Sequence, residues 1–173
     1  LIRYRSSDGY RIAAWLYKPK NLKPGKRAPV VVSVHGGPEA QEQPYYGYGL
    51  YQYWLSRGIA VLAPNIRGST GYGKKFQMAI YRDWGGGELT DLENAAKYLR
   101  RLKWVDPARI GIYGPPFGAF ALPPAIARLP QSWAAARDWL GPSTHAPPSP
   151  TPPPRWPRRP RRPTAAPPTA PAR

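Results

Sequence analysis

The residues that bear on chemistry begin with Gly114-Pro115-Pro116-Phe117-Gly118, which directly follows the apolar run Arg109 to Tyr113. A strand that enters a helix through Gly-x-Ser-x-Gly holds its third residue in a strained turn, where a serine hydroxyl is exposed for attack on a carbonyl. The third position here is Pro116. Its ring fixes φ near −65° and it carries no hydroxyl, so the frame is that of a serine hydrolase while the nucleophile is missing. Few other groups are available to replace it. The histidines are His35 and His145, and cysteine is absent, which removes disulfides and thiolate metal sites from consideration. His145 lies in proline-rich sequence with nothing nearby to orient it.

Other candidates have structural readings that take precedence over catalytic ones. Ser69, in Arg67-Gly68-Ser69-Thr70-Gly71, belongs to a hydroxyl and glycine cluster of the kind that builds loop turns. Asp83, Glu88, Asp91 and Glu93 are expected to cap and solvate the helix that follows, since neither His nor Cys accompanies them to complete a metal site. Gly85-Gly86-Gly87 has no Lys-Ser/Thr of a phosphate loop and reads as a flexible joint. No metal or other cofactor is expected.

The elements that would position these groups are legible from periodicity. Residues 1 to 20 alternate like strands around the turn signal Ser7-Asp8-Gly9, which predicts a hairpin. Pro29 to Val34 is a short β-branched run suited to a buried parallel strand. An aromatic stretch (Tyr45, Tyr46, Tyr48, Tyr51, Tyr53, Trp54) reads as helix, and Ile59 to Ala63 as the next strand. Those aromatics either line a substrate cleft or pack in the core. Leu92, Ala95, Ala96, Leu99 and Leu102 have helical spacing, and Thr90 with Glu93 makes a capping box, which predicts a helix over 90–103. Trp104-Val105-Asp106-Pro107 reads as a turn into the strand Arg109 to Tyr113. Strands separated by helices imply βαβ units and a parallel sheet, hence an α/β class.

Three motifs, His35-Gly36-Gly37-Pro38, Asn65-Ile66-Arg67-Gly68-Ser69-Thr70-Gly71-Tyr72-Gly73 and Trp104-Val105-Asp106-Pro107-Ala108-Arg109-Ile110-Gly111-Ile112-Tyr113-Gly114, stand in this order along the chain. In type and spacing they resemble the prolyl oligopeptidase family, with the nearest likeness to its acylaminoacyl-peptidase and dipeptidyl-peptidase branches. The resemblance covers roughly residues 1–140. It implies an α/β-hydrolase fold, of which this chain is the N-terminal part, a mostly parallel sheet with flanking helices. It implies a serine peptidase acting on short peptides through an acyl-enzyme, with an oxyanion hole built from the backbone N–H of Gly37 and of Phe117, the residue after the nucleophile position. A tetrahedral intermediate needs such donors, and losing one costs about 10²- to 10³-fold in rate. The family's triad Asp and His come far beyond the elbow, in sequence this chain does not contain, so the chain as written is expected to be inactive.

The C-terminal stretch departs from that pattern. Leu122-Pro123-Pro124 places prolines where the family has a helix, at about 3 kcal/mol each in a helix interior. Residues 141–173 hold 13 of the 25 prolines, six arginines and no carboxylate, so they read as a disordered tail separate from residues 1–140. Abrupt changes of this kind are what shifted reading frames in GC-rich DNA would give. The net charge is +17, and residues 1–140, with 20 Lys+Arg against nine Asp+Glu, still carry +11. The alternatives are a non-catalytic binding remnant, or an interaction protein whose polyproline tail with flanking arginines could dock on an SH3-like groove or make weak, salt-sensitive and unselective contacts with nucleic acid. No specific nucleic-acid partner and no membrane is expected. With no signal peptide in view, a cytoplasmic location is favoured, and the first residue, Leu1, reads as a cut end.

Overall fold

The computed structural model describes residues 1–37, 39–45, 49–83, 85–114 and 122–138. The expected hairpin is present as β1 (Ile2–Arg5) and β2 (Arg11–Tyr17), paired antiparallel with Tyr4 opposite Ile12. Its turn closes through Ser6 N–H to the Tyr10 carbonyl (2.8 Å) and Gly9 N–H to the Ser6 carbonyl (3.1 Å), with Gly9 at φ +90°. A positive φ of this kind is available to glycine without strain.

Four further strands follow, each separated from the next by helix: β3 (Ala28–Ser33), α1 (Gly49–Ser56), β4 (Ala60–Asn65), a short α2 (Lys74–Gln77), α3 (Gly87–Arg100), β5 (Val105–Gly114), α4 (Leu122–Arg128) and β6 (Ala135–Asp138). The sheet order is β1-β2-β4-β3-β5-β6, antiparallel at β1/β2 and β2/β4 and parallel from β4 through β6. Alternation along β4 sorts side chains to the two faces. Ala60 and Leu62 join the large core with Leu92, Ala95 and Leu99 of α3 and Leu122 and Ala125 of α4. Val61 and Ala63 join Tyr51 of α1 with Trp15, Tyr17 and Trp54 against them. Burying a leucine such as Leu92 or Leu99, both 0% exposed, stabilises the fold by about 1.5–3 kcal/mol.

The chain leaves β3 toward α1 on one face and leaves β5 toward α4 on the other. That change of face makes the ends of β3 and β5 the switch point of the sheet, where α/β proteins bind their ligands. Val34 N–H donates to the Tyr113 carbonyl at 2.8 Å, so the two strands stay paired up to the residue before His35.

Four expectations need correction. The helix expected over 90–103 starts at Gly87, and Thr90 sits inside it with its hydroxyl donating to the Gly86 carbonyl at 3.3 Å, so Thr90 and Glu93 form no capping box. The cap comes instead from Asp83, which accepts from Gly87 N–H at 3.1 Å, and from Glu88, which accepts from Gly85 N–H. The glycines of 85–87 are favoured by a positive φ at Gly85 (+83°) and by close approach at Gly86 and Gly87 rather than by flexibility. A Cβ on Gly86 would collide with the Asp83 carboxylate, and one on Gly87 would lie 2.8 Å from Arg67 Nη1. Of Trp104 to Pro107, read as a turn, Val105 to Pro107 lie inside β5, in an irregularity between the pairs Ala28/Val105 and Val30/Ile110, where Asp106 accepts from Ala108 N–H (3.0 Å) and pairs with Arg109 (2.6 Å). The change of direction expected there is a bulge within the strand. Pro123 and Pro124 lie in the first described turn of α4, so the segment is helical despite them.

Candidate active site

Gly36 and Gly37 leave the sheet at the switch point. Gly37 has φ +130°, and a Cβ there would lie 2.8 Å from Glu39 N and 3.0 Å from Ala40 N. Only glycine fits a backbone folded this tightly. The loop is held from the neighbouring strand: Thr70 N–H donates to the Ala40 carbonyl (2.8 Å), and the Asn65 side chain accepts from Glu42 N–H (2.7 Å) and donates to the Glu42 carbonyl (3.1 Å). Trp15 Nε1–H donates to that same carbonyl at 3.1 Å, and Tyr72 Oη receives the second Asn65 donor at 2.9 Å. Beyond Gly37, Glu39 accepts from Tyr81 and, at 3.0 Å, from Gln77. The motif Asn65 to Gly73 thus serves as the brace of the loop that follows β3.

His35 and Ser69 meet across this brace. His35 Nε2 lies 2.8 Å from Ser69 Oγ, and Nδ1 lies 2.8 Å from the Gly36 carbonyl. Because a carbonyl only accepts, Nδ1–H donates to it, and in the neutral ring Nε2 is then an acceptor. Ser69 Oγ also lies 2.6 Å from the Ile66 carbonyl, so its one proton is shared between Nε2 and that carbonyl. Burial lowers the His35 pKa, with the Gly36 contact opposing it, and keeps the ring neutral. The pair has the atoms of a base and a hydroxyl, yet Ser69 is 0% exposed and no substrate carbonyl can reach it. Its placement agrees with a role in building the loop.

The second polar cluster lies at the end of β4. Arg67 forks onto Asp91 through Nη2 (2.7 Å) and Nε (3.0 Å), its backbone N–H donates to Asp91 at 2.9 Å, and its guanidinium also reaches Asp8 and Ser6. Burial works against the Arg67 charge, but the bonds from Asp91 and then Asp8 outweigh it and hold the guanidinium pKa above its ordinary value. Asp91, expected to solvate its helix, is instead 0% exposed and ties α3 to the hairpin, whereas Glu93 takes a helix-surface role, paired with Lys97 at 2.7 Å.

A cavity of about 370 Å³ opens beside Gly36, lined by Ser33, His35, Gln41, Glu42 and Tyr51 among others. A larger one, about 730 Å³, runs along α1 between Trp15, Tyr17 and Leu55. Tyr45, 70% exposed, borders both. Tyr51 is buried and stacks on Trp54 (6.0 Å), whose ring meets Tyr113 edge-on (5.2 Å), so the aromatic stretch serves core and cavity together. Tyr46, Tyr48, Pro116, Phe117 and His145 lie outside the described residues. Among the described residues no group of three His, Cys, Asp or Glu could hold a metal ion, and no helix is long and apolar enough to cross a membrane. Sequence reasoning missed Glu42 and Asn65. An asparagine closing an otherwise apolar strand was the available signal for Asn65, and Glu42 gave none.

The sheet order, the face change at β3 and the glycine loop at that point define an α/β-hydrolase fold. The structure of a puromycin-hydrolyzing peptidase from Mycobacterium tuberculosis matches 78% of this chain at TM-score 0.71 and 31% identity, and 22% of that chain is covered. An acylaminoacyl peptidase from Pyrococcus horikoshii matches 78% of this chain at TM-score 0.69 and 32% identity, again over 22% of its own length. Among curated relatives, dipeptidyl aminopeptidase BIII of Pseudoxanthomonas mexicana is 34% identical over 149 residues, 82% of this chain and 21% of that protein. Dipeptidyl-peptidase 5 of Schizosaccharomyces pombe is 31% identical over 70% of this chain and 18% of its own length. The model of the prolyl oligopeptidase family matches residues 46–138, and the chain belongs to that family. It spans about a fifth of the length of these relatives.

Proposed function

We propose that residues 1–140 supply the oxyanion-loop side of a serine-peptidase centre that acts on short peptides, and that the chain as written does not hydrolyse them. Family membership supports the peptidase domain. The observation that carries the site reading is Gly37, whose tight φ +130° turn stands at the sheet's switch point, where its N–H would serve as an oxyanion donor. Phe117 N–H is assigned as the second donor from its place after Pro116 in the elbow.

Inactivity follows from Pro116, which offers no hydroxyl to attack a carbonyl. His35 is bonded to Gly36 and Ser69, which occupies both ring nitrogens, and it is not assigned as a general base for the elbow. A fluorophosphonate probe is expected to leave the 173-residue chain unlabelled, and specific labelling would overturn the inactive reading. Pro116→Ser alone is expected to restore no peptidase activity, because a serine without its base gains little. Turnover by that single variant would show that a base is already in place. The Pro/Arg-rich residues 141–173 are proposed as a separate tail.

A further inference from the structure

We propose that the cavity beside Gly36 binds a cationic side chain of a peptide, the ammonium of lysine or the guanidinium of arginine, and that Glu42 is the residue that recognises it. The inference rests on the reading of this loop as part of a peptide site and adds a specificity to it.

The argument starts from how unequally Glu42 is held. Its backbone is fixed at both ends by the Asn65 side chain (2.7 and 3.1 Å), and its carbonyl takes a further bond from Trp15 at 3.1 Å. Its carboxylate makes one long contact, with Tyr51 Oη donating to Oε1 at 3.4 Å. Oε2 takes no hydrogen bond among the described residues. A half-buried carboxylate left this sparsely partnered on a fixed backbone keeps acceptor capacity that an incoming cation can fill. Asp91 shows what completion looks like in the same molecule, since Arg67 satisfies both of its oxygens.

The lining leaves the place open for an incoming cation. In a chain of net charge +17, no lysine or arginine among the described residues borders this cavity. Its other ionisable groups are His35, held neutral by burial, and the tyrosines Tyr45 and Tyr51. The tyrosine rings supply apolar wall for an alkyl stem, while Gln41 and Gln43 supply carbonyl acceptors at the rim. About 370 Å³ falls within the ~300–1,000 Å³ of small-ligand sites. Burial also raises the Glu42 pKa above its ordinary value, with the Tyr51 hydroxyl opposing, and a bound cation would bring it down.

The test uses the full chain at low salt with three ligands: N-acetyl-lysine methylamide, N-acetyl-norleucine methylamide and norleucine methylamide. The first carries only a side-chain cation, the second no charge, and the third only an α-ammonium. Calorimetric titration is expected to give the lysine compound about tenfold tighter binding than its acetylated norleucine analogue, with the preference erased in Glu42→Gln. Equal binding of those two ligands, or an undiminished preference in Glu42→Gln, overturns the proposal. Glu42-dependent binding of norleucine methylamide alone overturns it too, by assigning the site to a peptide N-terminus. Should the variant fail to fold, the wild-type carboxyl carbon of Glu42 decides, followed by NMR across pH. Saturation with the lysine compound is expected to lower its midpoint by about one pH unit, the counterpart of a tenfold preference. An unmoved midpoint overturns the assignment. None of these readouts depends on turnover or on Pro116, so they fail separately from the peptidase reading.

Discussion

Two polar clusters stand at the ends of adjacent parallel strands, and they are finished differently. At the end of β4, Arg67 and Asp91 satisfy one another through four contacts, with Asp8 and Ser6 completing the guanidinium. Beyond the end of β3, the Glu42 backbone is just as firmly braced by Asn65, while among the described residues the Glu42 carboxylate keeps only a 3.4 Å contact. A closed network has no capacity left for a ligand and works as a strut between hairpin, loop and helix. An open one on a rigid backbone has kept that capacity, and the comparison separates architecture from site within a single sheet edge.

The largest effect expected from breaking this contrast comes from Asp91→Ala. It strands the Arg67 charge in a buried setting and is expected to cost about 3–5 kcal/mol in urea unfolding. A loss below about 1 kcal/mol would mean that the strut is not load-carrying and that the contrast with β3 is empty. On the site side, Gly37→Ala forces a Cβ to 2.8 Å from Glu39 N at a φ of +130°. About 1–3 kcal/mol of destabilisation is expected, less than for Asp91, because Gly37 is exposed and its substitution strands no buried charge. An unchanged unfolding midpoint for Gly37→Ala would remove the case for a rigidly folded oxyanion loop.

The smallest effect is one of pH and sharpens the comparison at His35. Burial lowers its folded-state pKa from the ordinary 6.5, so the unfolded chain takes up the proton first as pH falls. The stability this contributes is present above pH 6.5 and is lost as pH drops toward the lower folded value. Glu42, whose pKa burial raises, acts in the opposite sense, giving stability that is lost as pH rises through its folded value. The His35 term is therefore read from the difference between wild type and His35→Gln. That difference is expected to narrow below pH 6.5, and a difference flat with pH would show that the ring is not held neutral.

Much of the scaffold was legible because it follows local periodicity. The hairpin around Gly9, the buried runs that became β3 and β4, and the Leu92/Ala95/Ala96/Leu99 stripe of α3 each obey a rule of two or 3.6 residues. Helix starts were less legible. Thr90 and Glu93 have capping spacing, but Asp83 and Glu88, acting on Gly85 and Gly87, move the start to Gly87. Pro123 and Pro124 read as breakers because a sequence does not say where in a helix a proline will stand.

The sequence by itself determined the α/β class, the order of the motifs and the absence of a hydroxyl at position 116, since these depend only on residue types and near-neighbour spacing. The tertiary structure decided which polar groups are partners. Ser69 became the support of His35, Asp91 the counterion of Arg67 and Asn65 the clamp on Glu42, at separations of 34, 24 and 23 residues. The first and third depend on β4 and β3 lying side by side, a consequence of the crossover through α1, and the second on α3 packing back beside the end of β4, neither of which any local pattern in the chain contains.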